Sequence, residues 1–314
     1  MLSLAYAAGP SSKAAQRKMV ELAGALGRLA GIDIVVKAFG DYGQLTTGIR
    51  NGLCDLAWLP PIPFLSLASA EIVVPLAAVR PVPYCACIIV PSGTPLDRPS
   101  TLVGRRAAWV DRHSAAGYVI PRAKLARLGI DPRSAFATER FFGSHEAVVE
   151  AVASGRADFG ATWAKAGKDV VGPWTHMTGH EDSVHALARF GNIPSDVVAA
   201  RVDLPKPARK AVVAALKTIY ADQGSRWLVR DVFGTKAFYR PALESYQSLQ
   251  ETVAQAWRDG LLTTLDVRKT LEVPRAASRT IPDPVESKPP QRQWTLAEID
   301  VDIDVDVDVE MDPD

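Results

Sequence analysis

Two stretches, GRRAAWVDRHSAAGYVIPRAKL (residues 104–125) and FFGSHEAVVEAVASGRADFGAT (residues 141–162), decide how this chain folds. Each holds a strand-like run that breaks into a short polar turn and then opens a helix. Residues 106–110 (RAAWV) are β-compatible; Asp111, Arg112, His113 and Ser114 make the turn, and a periodic run through Leu125 and Leu128 makes the helix. Phe141 and Phe142 then give way to Gly143, Ser144 and His145, with Val148, Val149 and Val152 at helical spacing. Both helices start on a serine. A strand, turn and helix capped in this way present backbone N–H groups without intrahelical partners, and the positive end of the helix dipole, to whatever lies above the sheet. That is the chemistry of an anion site. Either serine alone is an ordinary cap, but two such caps, each beside a histidine, point to a ligand.

Upstream, residues 2–7 read as a first strand broken by Gly9 and Pro10, and Ser11 or Ser12 caps a helix with Met19, Leu22, Ala23, Leu26 and Leu29 on its apolar face. A second strand follows at 32–36. Asp41 and Tyr42 open a second helix through Leu45 and Ile49, and 55–59 form a third strand ending at Pro60 and Pro61. Strands and helices that alternate with short links imply parallel strands with helices on their faces. Ligands then sit at the carboxyl ends of the strands, where Tyr42 and Trp58 fall. Residues 73–79 and 86–90 are further strands, and the Pro-rich joint Pro81, Val82, Pro83, Tyr84 is a crossing between lobes. The polar sequence around 179–182 is expected to be the return crossing, with strands at 186–190 and 197–202 and a helix at 206–220 beyond it. The expected architecture is two-lobed α/β. Residues 1–82 and 187–272 make lobe 1, 83–186 make lobe 2, 273–293 form a linker and 294–314 an acidic low-complexity tail.

With 314 residues and 47% apolar content the chain can bury a large core. The formal charge of +1 conceals a split: residues 294–314 hold nine acids and no Lys or Arg, so residues 1–293 carry 36 basic and 26 acidic side chains. A body of that sign suits an anionic ligand. No contiguous basic stripe with interleaved aromatics argues for nucleic acid. Residues 300–310 alternate Asp or Glu with Val or Ile, and their acid face repels itself, which favours a solvated tail over a strand formed on a basic partner. Its acids lack the glycine turn and spacing of an EF-hand loop. Cys54, Cys85 and Cys87 give no disulfide framework; the last two share one face of a strand and read as buried thiols, and no metal set surrounds them. Residues 2–7 are too short for an export signal, and no run of 18 apolar residues occurs, so the chain as written is expected in the cytoplasm, or in the periplasm if a leader precedes it.

Four pieces, IRNGLCDLAWLPP with the helix that Tyr42 opens, TLVGRRAAWVDRHSAAGY, GSHEAVVEAVASGRADFGA and NIPSDVVAARVDLP, together resemble the phosphate, phosphite and phosphonate-binding proteins of ABC transporters, which have the type 2 periplasmic-binding-protein fold. The likeness runs over roughly residues 2–262. It implies two α/β lobes closing on a small oxyanion, with no cofactor. By that likeness Ser114 and the backbone at Ala115 and Ala116 cradle the anion, His145 donates a further bond, Tyr42 and Tyr84 line the cleft, and Asp196 receives a ligand ammonium. Trp58 and Trp163 fall at the same cleft and suit a bulkier or flatter ligand. An ABC permease, or another protein that docks the acidic tail, is the implied partner of a monomeric binder.

The turn departs from the family's Ser-Thr-Ser-Gly: Ala115 and Ala116 lack two hydroxyl donors, each contributing roughly 1.5–3 kcal/mol to a charged acceptor, while the backbone donors remain. Lys165 stands where amine binders are expected to keep an acid. Two other classes stay open: an enzyme on the same two-lobed fold, resembling those of menaquinone synthesis, with His145, His113 and Asp111 as its available acids and bases, and a scaffold that binds no small molecule. No HExxH, GxSxG or P-loop pattern supports metal, acyl-transfer or nucleotide chemistry.

Overall fold

The computed structural model describes residues 1–9, 13–79, 84–165, 170–241 and 243–262. The linker and tail expected at 273–314, the caps expected at Ser11 or Ser12, and most of the joint at 81–84 lie outside the described residues.

The first half builds a parallel β/α unit. Strand β1 (Leu2–Ala7) pairs in parallel with β2 (Ile34–Phe39) on one side and β3 (Leu56–Leu59) on the other. Helix α1 (Lys13–Ala30) connects β1 to β2, burying Met19, Leu22, Ala23 and Leu26, while Leu29 is exposed. Helix α2 (Tyr42–Arg50) starts at Asp41, whose carboxylate accepts the Gln44 N–H at 2.7 Å. The sequence pattern does not announce α3 (Pro61–Ala68), which starts with proline at its first position and is buried on all sides. Strand β4 (Val73–Ala78) closes this part.

The second half repeats the plan. Strand β6 (Arg106–Trp109) pairs in parallel with β7 (Thr138–Phe141) and β8 (Phe159–Lys165). Helix α4 (Ile120–Arg127) lies between β6 and β7, and α5 (His145–Ala153) between β7 and β8. The fourth strand of each sheet is antiparallel and comes from the opposite half of the chain. Strand β5 (Tyr84–Pro91) sits between β8 and β9 (Val184–Ile193), and β10 (Val197–Arg201) sits between β3 and β4. The sheet orders are thus β2-β1-β3-β10-β4 and β7-β6-β8-β5-β9, one scheme used twice. Each sheet with its helices is one lobe.

The return crossing differs from expectation. Residues 184–193 are a single strand hydrogen-bonded to β5, so the chain stays in the second sheet through Ile193, and the expected boundary at 187 falls inside β9. An apolar run such as 186–190 carries no mark of which sheet will pair with it; only the register against β5 decides.

Helices α6 (Lys206–Thr218) and α7 (Arg226–Phe233) pack beside α1 on the outside of the first sheet. The last helix, α8 (Glu244–Arg258), belongs to both lobes. Its Tyr246 stacks edge-on against Phe64 of α3 and donates to the Ser195 carbonyl. At its far end the Leu261 carbonyl accepts from the buried Arg122 of α4 at 3.0 Å. Arg122 also binds the Glu139 carboxylate and the Pro132 carbonyl and lies over the rings of Tyr118 and Trp109. One apolar cluster therefore runs from Ala57 and Leu59 through Phe64 and Tyr246 to Ile88 and Trp109, joining the inner faces of the sheets. The outer face of the second sheet, with Cys85, Cys87 and Ile89, packs separately on Val148, Val149 and Val152 of α5. The cysteines are buried and reduced, and burial pushes the Cys87 thiol up to about 12.

Candidate ligand cleft

The turn after β6 is closed by its own backbone. Val110 N–H donates to the Gly117 carbonyl at 3.2 Å and Ser114 N–H to the Asp111 carbonyl at 3.0 Å. The Ser114 hydroxyl accepts the Gly117 N–H at 3.0 Å, capping a π-helical turn, Ala115–Val119, that runs into α4. Such single turns of π-helix concentrate at functional sites. A side chain at Gly117 would put its Cβ 2.4 Å from Val110 Cγ2, so only glycine lets the turn fold back this tightly. The N–H groups of Ala115 and Ala116 stand in the first turn, where no intrahelical acceptor exists. Their methyl groups are buried. The turn offers backbone donors and the Ser114 O–H, which the cap uses only as an acceptor.

His145 is the first residue of α5, behind the cap that Ser144 makes to the Ala147 N–H at 3.1 Å. Its Nδ1 lies 2.9 Å from the hydroxyl of Thr162, a fully buried residue of β8. Thr162 thereby fixes the imidazole plane.

Lobe 1 supplies Tyr42, the first residue of α2. Burial pushes its phenol up, and the charges of Asp196, Asp111 and Glu146 push it further. The group stays an O–H donor throughout the physiological range. Its backbone N–H reaches Asp111 Oδ2 of lobe 2 at 3.4 Å, so the two lobes meet beside the Ser114 turn. They touch again where a Cβ on Gly43 would lie 3.2 Å from the His113 ring and one on Gly9 would lie 2.9 Å from the Gly143 carbonyl oxygen. Asp111 also accepts from the His113 backbone at 2.7 Å and stands 3.2 Å from its ring. Burial alone would raise this carboxyl, but the bonds from His113, its charge and the Tyr42 N–H outweigh that and hold it below the usual carboxylate range.

Asp196 precedes β10 and is held at Oδ2 by the Trp58 indole N–H at 3.1 Å, while Trp58 packs edge-on against Phe233 with ring centroids 4.6 Å apart. Trp58 positions a carboxylate as well as offering a ring. Tyr84 opens β5, buried, opposite Lys165 in register; Trp163, beside Ala86, is partly buried against the common core, and Lys165 is exposed. The structure ties Tyr42 to the Ser114 turn through Asp111, Trp58 to Asp196, and His145 to Thr162. Tyr84 and Trp163 lie on the inner face of the second sheet. Sequence reasoning misses Thr162, Glu146 and the bridging role of Asp111. Asp111 leaves a trace, as the acid that opens the polar turn; Thr162 leaves none. Among the described residues no group of three or more His, Cys, Asp or Glu could hold a metal ion.

Two β/α lobes of one topology, joined by crossing strands and meeting at helix N-termini, define a two-lobed binding protein. The chain belongs to the family described as the ABC transporter, phosphonate, periplasmic substrate-binding protein, whose pattern matches residues 4–246. Solved structures agree on the fold. PhnD1 from Prochlorococcus marinus in complex with methylphosphonate is 17% identical, with a TM-score of 0.68 over 82% of this chain and 98% of that one. The binding component of an ABC phosphonate transporter from Pseudomonas aeruginosa is 15% identical, with a TM-score of 0.69 over 86% and 91%. The aliphatic sulphonate binding protein SsuA from Escherichia coli is 15% identical, with a TM-score of 0.54 over 95% and 98%. Among the described residues no helix is long and apolar enough to cross a membrane.

Proposed function

We propose that this protein binds a small phosphonate- or sulfonate-type oxyanion between its lobes and presents it, as a monomer, to an ABC permease. The observation that carries the reading is the junction of Tyr42 with the Ser114 turn. A tyrosine kept protonated on lobe 1 is bonded through its backbone to the acid that opens the anion-type turn of lobe 2. The backbone at Ala115 and Ala116, the Ser114 and Tyr42 hydroxyls and the His145 ring are the donors to the anion; Tyr84, Trp58 and Trp163 wall the cleft. In place of the lost hydroxyls the ligand gains from Asp196, Asp111 and Glu146, whose charges act together on Tyr42. That set suits a ligand with an amino group next to its anion. The acidic tail is a salt-sensitive docking element for the partner.

Thermal unfolding of the full chain against phosphate, phosphite, methylphosphonate, 2-aminoethylphosphonate, aminoalkylsulfonates and sulfate tests the reading. A ligand at about 100 times its dissociation constant adds roughly 2.7 kcal/mol, a shift of several degrees. The amino-substituted anions should give the largest shifts. A panel that shifts nothing would remove the oxyanion assignment and leave a scaffold.

A further inference from the structure

The sequence shows no basic stripe, yet the fold assembles one. Helices α1, α6 and α7 lie far apart in the chain and pack side by side on the outer face of lobe 1, with α1 against both of the others. Together the three carry ten Lys and Arg against two acids, Glu21 and Asp231, and Asp231 is spent on Lys18 across the α1–α7 seam at 2.6 Å. Lys13, Arg17, Lys206, Lys210, Arg226 and Arg230 are all exposed. The helices of lobe 2 have no such excess: α4 carries three cations, one of them the buried Arg122, and α5 carries two acids and no Lys or Arg.

The same three-helix layer exposes large apolar side chains. Val20 of α1 is 58% exposed, Trp227 of α7 43%, and Tyr220, just after α6, 45%. Trp227 is held in place by its indole N–H, which donates to the Gly224 carbonyl at 3.0 Å. A partner recognised by charge alone, such as a nucleic acid backbone or polyglutamate, would use the cations and leave these three side chains in water. A bilayer takes both: anionic headgroups attract Lys and Arg, and the interfacial zone accepts Trp, Tyr and Val.

We infer that the outer face formed by α1, α6 and α7 docks on an anionic lipid surface. This surface lies on the opposite side of the first sheet from α2 and works whether or not the cleft is filled. It would hold a binding protein close to the membrane in which its transporter sits.

The experiment is co-sedimentation of the full chain with vesicles of phosphatidylglycerol and phosphatidylcholine (about 3:7) or of phosphatidylcholine alone, at low and at physiological salt, with tryptophan emission recorded. The expected result is binding to the anionic vesicles, weakened by salt, with a blue shift that Trp227→Ala removes. The triple variant Lys206→Glu, Lys210→Glu, Arg230→Glu should lose at least tenfold in vesicle binding with its circular dichroism unchanged. The variant Lys124→Glu, Arg127→Glu on α4 should bind as the parent does. Equal binding to neutral vesicles, no binding to anionic ones, or an unaffected triple variant would overturn the inference. So would binding to polyglutamate or to DNA without vesicle binding, which would assign the face to an acidic polypeptide or a nucleic acid.

Discussion

The two lobes share one topology yet equip the cleft differently. Tyr42 and His145 occupy matching places, each the first residue of a nine-residue helix after the parallel edge strand of its sheet, behind an Asp cap in one and a Ser cap in the other. In lobe 2 the proposed donors are backbone groups and a histidine fixed by Thr162, and the turn is closed by bonds between residues at most seven apart. In lobe 1 the groups are side chains set by distant partners: Trp58 holds Asp196 from 138 residues away. One scaffold therefore offers a locally closed half, with Asp111 and Glu146 beside its donors, and a half whose Tyr42 and Asp196 are placed by partners distant in the chain. The lobes also differ outside: among the described helices the cationic excess gathers on α1, α6 and α7 of lobe 1.

The largest test of this contrast uses two glycines. In lobe 2 a Cβ at Gly117 meets Val110 Cβ at 2.5 Å, an atom that cannot swing aside. In lobe 1 a Cβ at Gly48 meets the Phe39 ring at 2.5 Å, and that ring is only partly buried. Gly117→Ala should cost about 3 kcal/mol, near the top of the range for overpacking, and abolish anion binding; Gly48→Ala should cost nearer 1 kcal/mol and leave binding intact. Denaturant unfolding and ligand titration of both variants check this. Similar losses of binding in the two would mean that the lobes are not distinct in role.

That contrast also explains what the sequence made legible. The Ser114 and Ser144 turns could be read because strand, turn, cap and helix lie within about ten residues and each step has its own residue signature. Parallel pairing of β1, β2 and β3, and the buried faces of α1 and Cys85 with Cys87, followed from period and spacing in the same way. Long-range pairings have no such signature: the Trp58–Asp196 bond, the Tyr246 bond to Ser195, the place of β9 beside β5 and the layer made by α1, α6 and α7 all depend on which segments the fold brings together. Helix α3 escaped because a helix buried on every side loses its amphipathic period.

A smaller effect concerns the bridge between the lobes. Asp111 titrates lower in the folded protein than in the unfolded chain, so around that range the unfolded state binds more protons. Its contribution to stability is complete above the ordinary carboxylate range and is lost as pH falls through the lowered value. The midpoint of thermal unfolding should therefore drop more between pH 6 and pH 3 in the parent than in Asp111→Asn. Parallel pH profiles would show that the bridge adds no stability.

The most direct test of the central claim, that one anion is held by both lobes, is a calorimetric titration of the strongest ligand from the thermal panel into the parent, Tyr42→Phe and His145→Ala. Loss of a hydrogen bond to a charged group costs about 1.5–3 kcal/mol, so each variant should weaken binding roughly 10- to 150-fold. Parent-like affinity in Tyr42→Phe, with binding lost in His145→Ala, would confine the ligand to lobe 2 and contradict the account.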